Sequence, residues 1–133
     1  MSTKSIPIEH ACISFLEEDL CHLHFTTTEH EIGKESLERI LAAILEHMPT
    51  EKCFMIISTE PGASMNQEAR DFASSEAFDA ISLADAILRA DYNHEMAANF
   101  FIRFNRPKRP VRLFPDLEHA LTWIKGLRDG QSL

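Results

Sequence analysis

Cys53-Phe54-Met55-Ile56-Ile57-Ser58 decides the fold. Five consecutive apolar residues with no polar alternate read as a strand covered on both faces, the usual interior strand of a parallel sheet. Its surroundings agree. Upstream, Leu37, Ile40, Leu41, Ile44, Leu45 and Met48 recur at three- and four-residue steps, so Lys34 to His47 is an amphipathic helix that Pro49 closes. Downstream, a second helix is expected from Ser64 to about Ser75, with Ser64 or Asn66 capping it by accepting from a free backbone N–H.

Further outward, Ala84 to Ala90 is expected to be a second buried strand, interrupted by Asp85 and Arg89. Asn93 to Phe104 returns to helical period, and Pro107 and Pro110 prevent the helix from continuing. Val111 to Phe114 is a short strand. Asp116 then caps a last helix carrying Leu117, Ala120, Leu121, Ile124 and Leu127, with Gly130 beyond its end. Toward the N-terminus, Ala11, Ile13 and Phe15 alternate with His10, Cys12 and Ser14. After an acidic turn, Cys21, Leu23 and Phe25 alternate with His22 and His24. That is an antiparallel hairpin with one buried face.

Strands alternating with helices imply a largely parallel sheet with helices packed on it. The expectation is one α/β domain over residues 9–130 after a loose tail at 1–8. Its single mixed sheet has about five strands, a leading antiparallel hairpin and about four helices.

Composition narrows the function. The chain has 133 residues, 44% of them hydrophobic with nine Phe, enough apolar material for a core without metals or disulfides. A net charge of −8 is a poor match for nucleic acid, so none is expected as partner. No apolar run is long enough to cross a bilayer. Cys12, Cys21 and Cys53 are odd in number and lack tight spacing, which points to reduced thiols and a cytoplasmic setting.

Few residues suggest chemistry. The four glycines, Gly33, Gly62, Gly126 and Gly130, form no phosphate-cradling loop, and neither a nucleophile elbow nor a metalloprotease helix is present. No catalytic residue and no cofactor is expected. His22 and His24 share a strand face that His10 and Cys12 can join from the partner strand. They are weak candidates for metal, set against the ordinary polar solvent face of a hairpin. Arg103, Arg106, Lys108, Arg109 and Arg112 concentrate positive charge between a helix and a strand, a candidate surface for an anion or an acidic partner, or else a solvated loop. Met96, Phe100, Phe101 and Phe104 exceed what one buried stripe needs, because Phe100 and Phe101 are adjacent; one of them is a candidate for an interface, a homodimer contact or a pocket lining, set against core packing of both at the edge of a wide stripe. Asp85 within a buried strand is a candidate perturbed carboxylate, set against a place at the strand's start or a pair with an arginine, for which Arg89 or Arg70 could serve. Cys53 reads as a small core hydrophobe.

Four segments, Glu68-Ala-Arg-Asp-Phe72, Asn99-Phe-Phe-Ile-Arg-Phe-Asn-Arg-Pro-Lys-Arg-Pro110, Leu113-Phe-Pro-Asp116 and Ala120-Leu-Thr-Trp-Ile124, carry a resemblance covering about half the chain. As a set they are similar to small bacterial proteins of the STAS-like superfold, shared by anti-sigma-factor antagonists and CRAL-TRIO lipid-binding domains, and most of all to a Bacteroidota-type branch. The resemblance implies a STAS-like fold and, since one fold hosts unrelated functions, no particular chemistry. In the antagonists a serine at the start of the helix after the central strand is phosphorylated. In register with the first segment that place is held here by Asn66, and Ser64, two residues earlier, is the candidate modification site. The expected function is a non-enzymatic regulatory or protein-interaction module with a protein partner. The alternative is a carrier or sensor of a small apolar or lipid-like ligand.

Overall fold

The computed structural model describes residues 5–26 and 31–130. Strands β1 (Ser5–Ile8), β2 (Ala11–Glu17) and β3 (Leu20–Phe25) lead into helix α1 (Lys34–His47) and β4 (Cys53–Thr59). Helix α2 (Gln67–Ala73) and the single turn α3 (Glu76–Asp79) precede β5 (Ser82–Leu88). Helix α4 (Tyr92–Phe100) runs into a π-helical turn, Phe101–Asn105, before β6 (Val111–Phe114) and α5 (Leu117–Arg128).

The six strands form one mixed sheet in sequence order, β1-β2-β3-β4-β5-β6. β1–β2 and β2–β3 are antiparallel, and the remaining pairs are parallel. Each helical crossover moves one strand further in the same direction. Right-handed connections then put α1 to α4 on the same face. Along β4 the side chains divide accordingly. Cys53 and Met55 join Ile13, Leu23, Phe25, Leu37 and Ile40 in the core under α1 to α3, while Phe54 and Ile56 join Ala84, Ala86, Ala120 and Ile124 under α5. Both faces of CFMIIS are therefore buried, as its unbroken apolar run requires.

α5 packs on β5 and β6. It leaves the same face of β2 and β3 half-exposed, and the polar alternates of the hairpin, Cys12, Ser14, His22 and His24, lie there.

Four boundaries differ from expectation. The tail expected over 1–8 is a strand from Ser5 onward, while residues 1–4 lie outside the described residues. Pro7 hides that strand from a propensity reading, yet Pro suits an edge strand because it offers no N–H to a further neighbour. Ile6 and Ile8 pack against the core, and the turn at Glu9-His10 closes with His10 at φ 72°. The sheet thus has six strands rather than five. β5 begins at Ser82, two residues before the expected start. α2 ends at Ala73, and α3 follows as a separate turn. The helix at Asn93–Phe104 begins at Tyr92 and widens after Phe100 into the π turn, which Arg106 ends in the left-handed region at φ 49°. Among the described residues no helix is long and apolar enough to cross a membrane.

Candidate functional site

α4 is built inside out. At four-residue steps Tyr92, Met96, Phe100 and, within the π turn, Phe104 point to solvent, with exposures of 72, 55, 45 and 64%. The side chains of Ala97, Ala98 and Phe101 line the space beneath, Ala98 buried and Ala97 exposed. Bulk lies outside, and alanines stand on the inner side. Side chains this small cannot fill the space over β4 and β5, and a cavity of about 490 Å³ remains, partly open to solvent. Its floor is Leu23, Met55, Ile57 and Ile87, and the lining is mostly apolar.

α4 is held at the rim by its first turn. The Asp91 carboxylate accepts from the backbone N–H of His94 at 2.8 Å. This bond, foremost, holds the Asp91 carboxyl below its ordinary value. The His94 ring bridges to the far wall. The carbonyl of Ala63 only accepts, so Nε2 donates to it at 2.6 Å and Nδ1 accepts from the Thr59 hydroxyl at 2.8 Å. α4 is thereby tied to the end of β4 and to the loop that follows.

Two arginines reach the cavity wall. Arg109 is buried and fully engaged. Nε and Nη2 donate to Asp85 Oδ2 at 3.0 and 2.8 Å, Nη1 to Asp79 Oδ1 at 2.8 Å, and Nη2 also to the carbonyl of Ala73 at 2.7 Å. Burial works against its charge, but the Asp85 and Asp79 carboxylates outweigh it and hold its pKa above that of ordinary arginine. The partner of Asp85 is thus Arg109, not Arg89 or Arg70. β6 lies beside β5 with Val111 opposite Asp85, and that register brings Arg109 over the carboxylate. Arg70 of α2, by contrast, meets only neutral oxygens among the described residues: Met65 O at 2.6 Å and Gln67 Oε1 at 2.9 Å.

The basic segment does not converge. Arg109 is consumed in the interior. Arg112 lies on the α5 side, its guanidinium 5.4 Å from the Phe114 ring centre and 5.6 Å from Trp123. Arg103, Arg106 and Lys108 are exposed. Arg106 Nε donates to the carbonyl of Arg103 at 3.3 Å, and Lys108 lies 4.0 Å from Glu76. In the aromatic group, Met96, Phe100 and Phe104 are outside with the two Phe rings 4.6 Å apart, whereas Phe101 lines the cavity.

Ser64 is exposed at the cavity rim, its carbonyl accepting from Ile32 N at 2.7 Å. The cap of α2 is Asn66, which accepts from Ala69 N at 2.9 Å.

The histidine candidates also separate. His10 Nδ1 meets Ser36 Oγ of α1 at 2.9 Å, on the opposite side of the sheet from His22 and His24. Cys12 Sγ is 2.8 Å from Ser5 Oγ. His22 Nε2 and His24 Nδ1 both meet Ser58 Oγ, at 2.8 and 2.7 Å, and His24 Nε2 reaches Glu60 at 3.2 Å. Among the described residues no three His, Cys, Asp or Glu are grouped to hold a metal. The series Ser58, His24, Glu60 has the order of nucleophile, base and acid. Ser58, however, stands within the β3–β4 ladder, where backbone N–H groups serve the strands rather than an oxyanion.

Nothing in the sequence marks Arg70 or His94 as cavity residues. The adjacent pair Phe100-Phe101, too much for one buried stripe, does carry a signal, and Phe101 lines the cavity. No curated protein and no solved structure matches the chain. Residues 15–128 match a family model described as a domain of unknown function, DUF7793, and the chain belongs to that family.

Proposed function

We propose that this domain is a non-enzymatic, cytoplasmic module that holds a small apolar or lipid-like ligand between the sheet and α4, as a carrier or as a sensor. The observation that carries the reading is the cavity of about 490 Å³, within the usual range of roughly 300–1,000 Å³ for ligand sites, with an apolar floor and few polar groups. A stable protein tends to fill such a space, since each unfilled methyl-sized void costs on the order of 1 kcal/mol. The resemblance to a superfold that includes lipid-binding domains points the same way. Native mass spectrometry of the protein from its own cells tests the reading. A bound small molecule, absent from the cavity-filling variant Ile57→Phe, supports it. Bare chain in both, together with no uptake of an environment-sensitive apolar dye, overturns it.

A second reading, a regulatory module that acts through protein contact, is favoured by the outward row Tyr92, Met96, Phe100 and Phe104. In that reading the row meets a second copy of the chain. Sedimentation at micromolar concentration should then show a dimer that Phe104→Ser weakens, and a strict monomer removes it.

A further inference from the structure

Among the described residues the cavity wall carries one arginine without a counter-charge. Arg109 has Asp85 at 2.8 Å and Asp79 at 2.8 Å. Arg70 has no carboxylate within ion-pair distance among the described residues, and its Nε is buried without any hydrogen-bond partner among them. Its other two nitrogens donate to a carbonyl and an amide oxygen, and its guanidinium lies 5.7 Å from the Phe100 ring centre. Asp71, next to Arg70 in the chain, accepts from Gln67 Nε2 at 2.8 Å and Asn105 Nδ2 at 3.0 Å. Of the acidic residues lining the cavity, Asp85 is held by Arg109, Asp91 caps α4, and Glu31 is exposed and forms no ion pair with Arg70. A half-buried guanidinium in an apolar wall gains most from an anion with two acceptor oxygens, because charge-assisted, two-pronged bonds to a carboxylate are about twice as strong as neutral ones.

Given the cavity as the ligand site, a reading on which this step rests, we infer that the ligand is a monocarboxylate with an apolar body. Its carboxylate pairs with Arg70, and its chain lies along Leu23, Met55, Ile57 and Ile87. Arg70 stays bound to Met65 and Gln67 and turns its unused N–H groups to the ligand. Asp85 and Asp79 stay on Arg109, so the two arginines do not compete for the carboxylate.

Dodecanoate and dodecanol, alike in chain and different in head group, separate this inference from its premise. Each is titrated at neutral pH by displacement of an apolar dye from the full chain, from Arg70→Gln, from Arg70→Lys and from Ile57→Phe, with the fold of each variant checked by circular dichroism. The expected result is binding of dodecanoate at least tenfold tighter than dodecanol. Arg70→Gln should abolish that preference by weakening dodecanoate alone, and Arg70→Lys, which keeps charge but loses the planar fork, should retain part of it. Ile57→Phe should weaken both. Equal affinity of the two probes for the unaltered chain, or a preference that survives Arg70→Gln, overturns the carboxylate inference and leaves the cavity reading standing. Dye and both probes failing to bind overturns the two together.

Discussion

Arg109 and Asp85 form the one ion pair in which both side chains are almost wholly buried among the described residues, at 4 and 3% exposure, with Nε and Nη2 converging on a single carboxylate oxygen. The other Asp85 oxygen accepts from the Ser82 hydroxyl at 2.5 Å. The pair joins β5 to the segment entering β6, and Asp79 and the Ala73 carbonyl extend it to α2 and α3.

Removing Arg109 is therefore a structural lesion. Arg109→Met leaves the Asp85 and Asp79 carboxylates without their counter-charge, and the expected loss is about 3–5 kcal/mol, read as a lower urea midpoint. Arg103→Ala and Lys108→Ala, at exposed positions of the same basic run, should stay within about 0.5 kcal/mol of the unaltered chain. Equal effects at all three positions would contradict the division of that run into one buried and several solvated charges.

The three cysteines should separate by reactivity. Burial foremost, then nearby acidic groups, pushes the Cys53 thiol up to about 12, and burial and the neighbouring Cys53 raise Cys21 well above the ordinary thiol range. Cys12 is partly exposed. A thiol reagent at neutral pH should modify one group per native chain and three after unfolding in denaturant, with peptide mapping placing the native label on Cys12.

Acid should weaken the hairpin through His22. Burial first, and the neighbouring His24 second, hold its pKa below the ordinary value of 6.5. The bonding is consistent with a neutral His22 ring. His22 Nε2 donates to Ser58, Ser58 donates to His24 Nδ1, and His24 Nε2 donates to Glu60. The folded protein then binds fewer protons than the unfolded chain between the two pKa values, so this contribution is complete above 6.5 and is lost as pH falls through the folded value. At His119 a bond to Asp116 raises the pKa, so its small contribution is present below 6.5 and is lost as pH rises through the folded value. Proton NMR titration of the ring signals should show His22 and His119 shifted in opposite directions from 6.5. A His22 midpoint at or above 6.5 would refute the assignment.

Filling the cavity should stabilise the chain while weakening binding. Ile57→Phe adds apolar volume at the floor, and the expected gain is about 0.5–2 kcal/mol, seen as a higher thermal midpoint. A destabilised Ile57→Phe would mean that the space is smaller or stiffer than its 490 Å³ volume indicates.

The sequence by itself determined the elements that repeat a period. α1 has the expected bounds, Lys34–His47, because its apolar stripe is complete and Pro49 ends it. CFMIIS is the strand β4 because an unbroken apolar run suits only a position covered on both sides, and Asp116 caps α5 because its carboxylate lies one residue before the stripe begins. These signals are local. β1 escaped because four residues with a proline carry too little pattern, and its pairing with β2 supplies what its own sequence lacks.

The site, in contrast, was decided by the tertiary structure. Five basic residues within ten positions look alike in sequence, yet the parallel register of β6 against β5 sends Arg109 into the interior, and strand alternation sends Arg112 to the opposite face. Which arginine neutralises Asp85, and hence which one is left at the cavity wall, depends on contacts more than twenty residues apart in the chain. So does the cavity itself: it exists only where the alanines of α4 meet β4 and β5, and no single segment contains it.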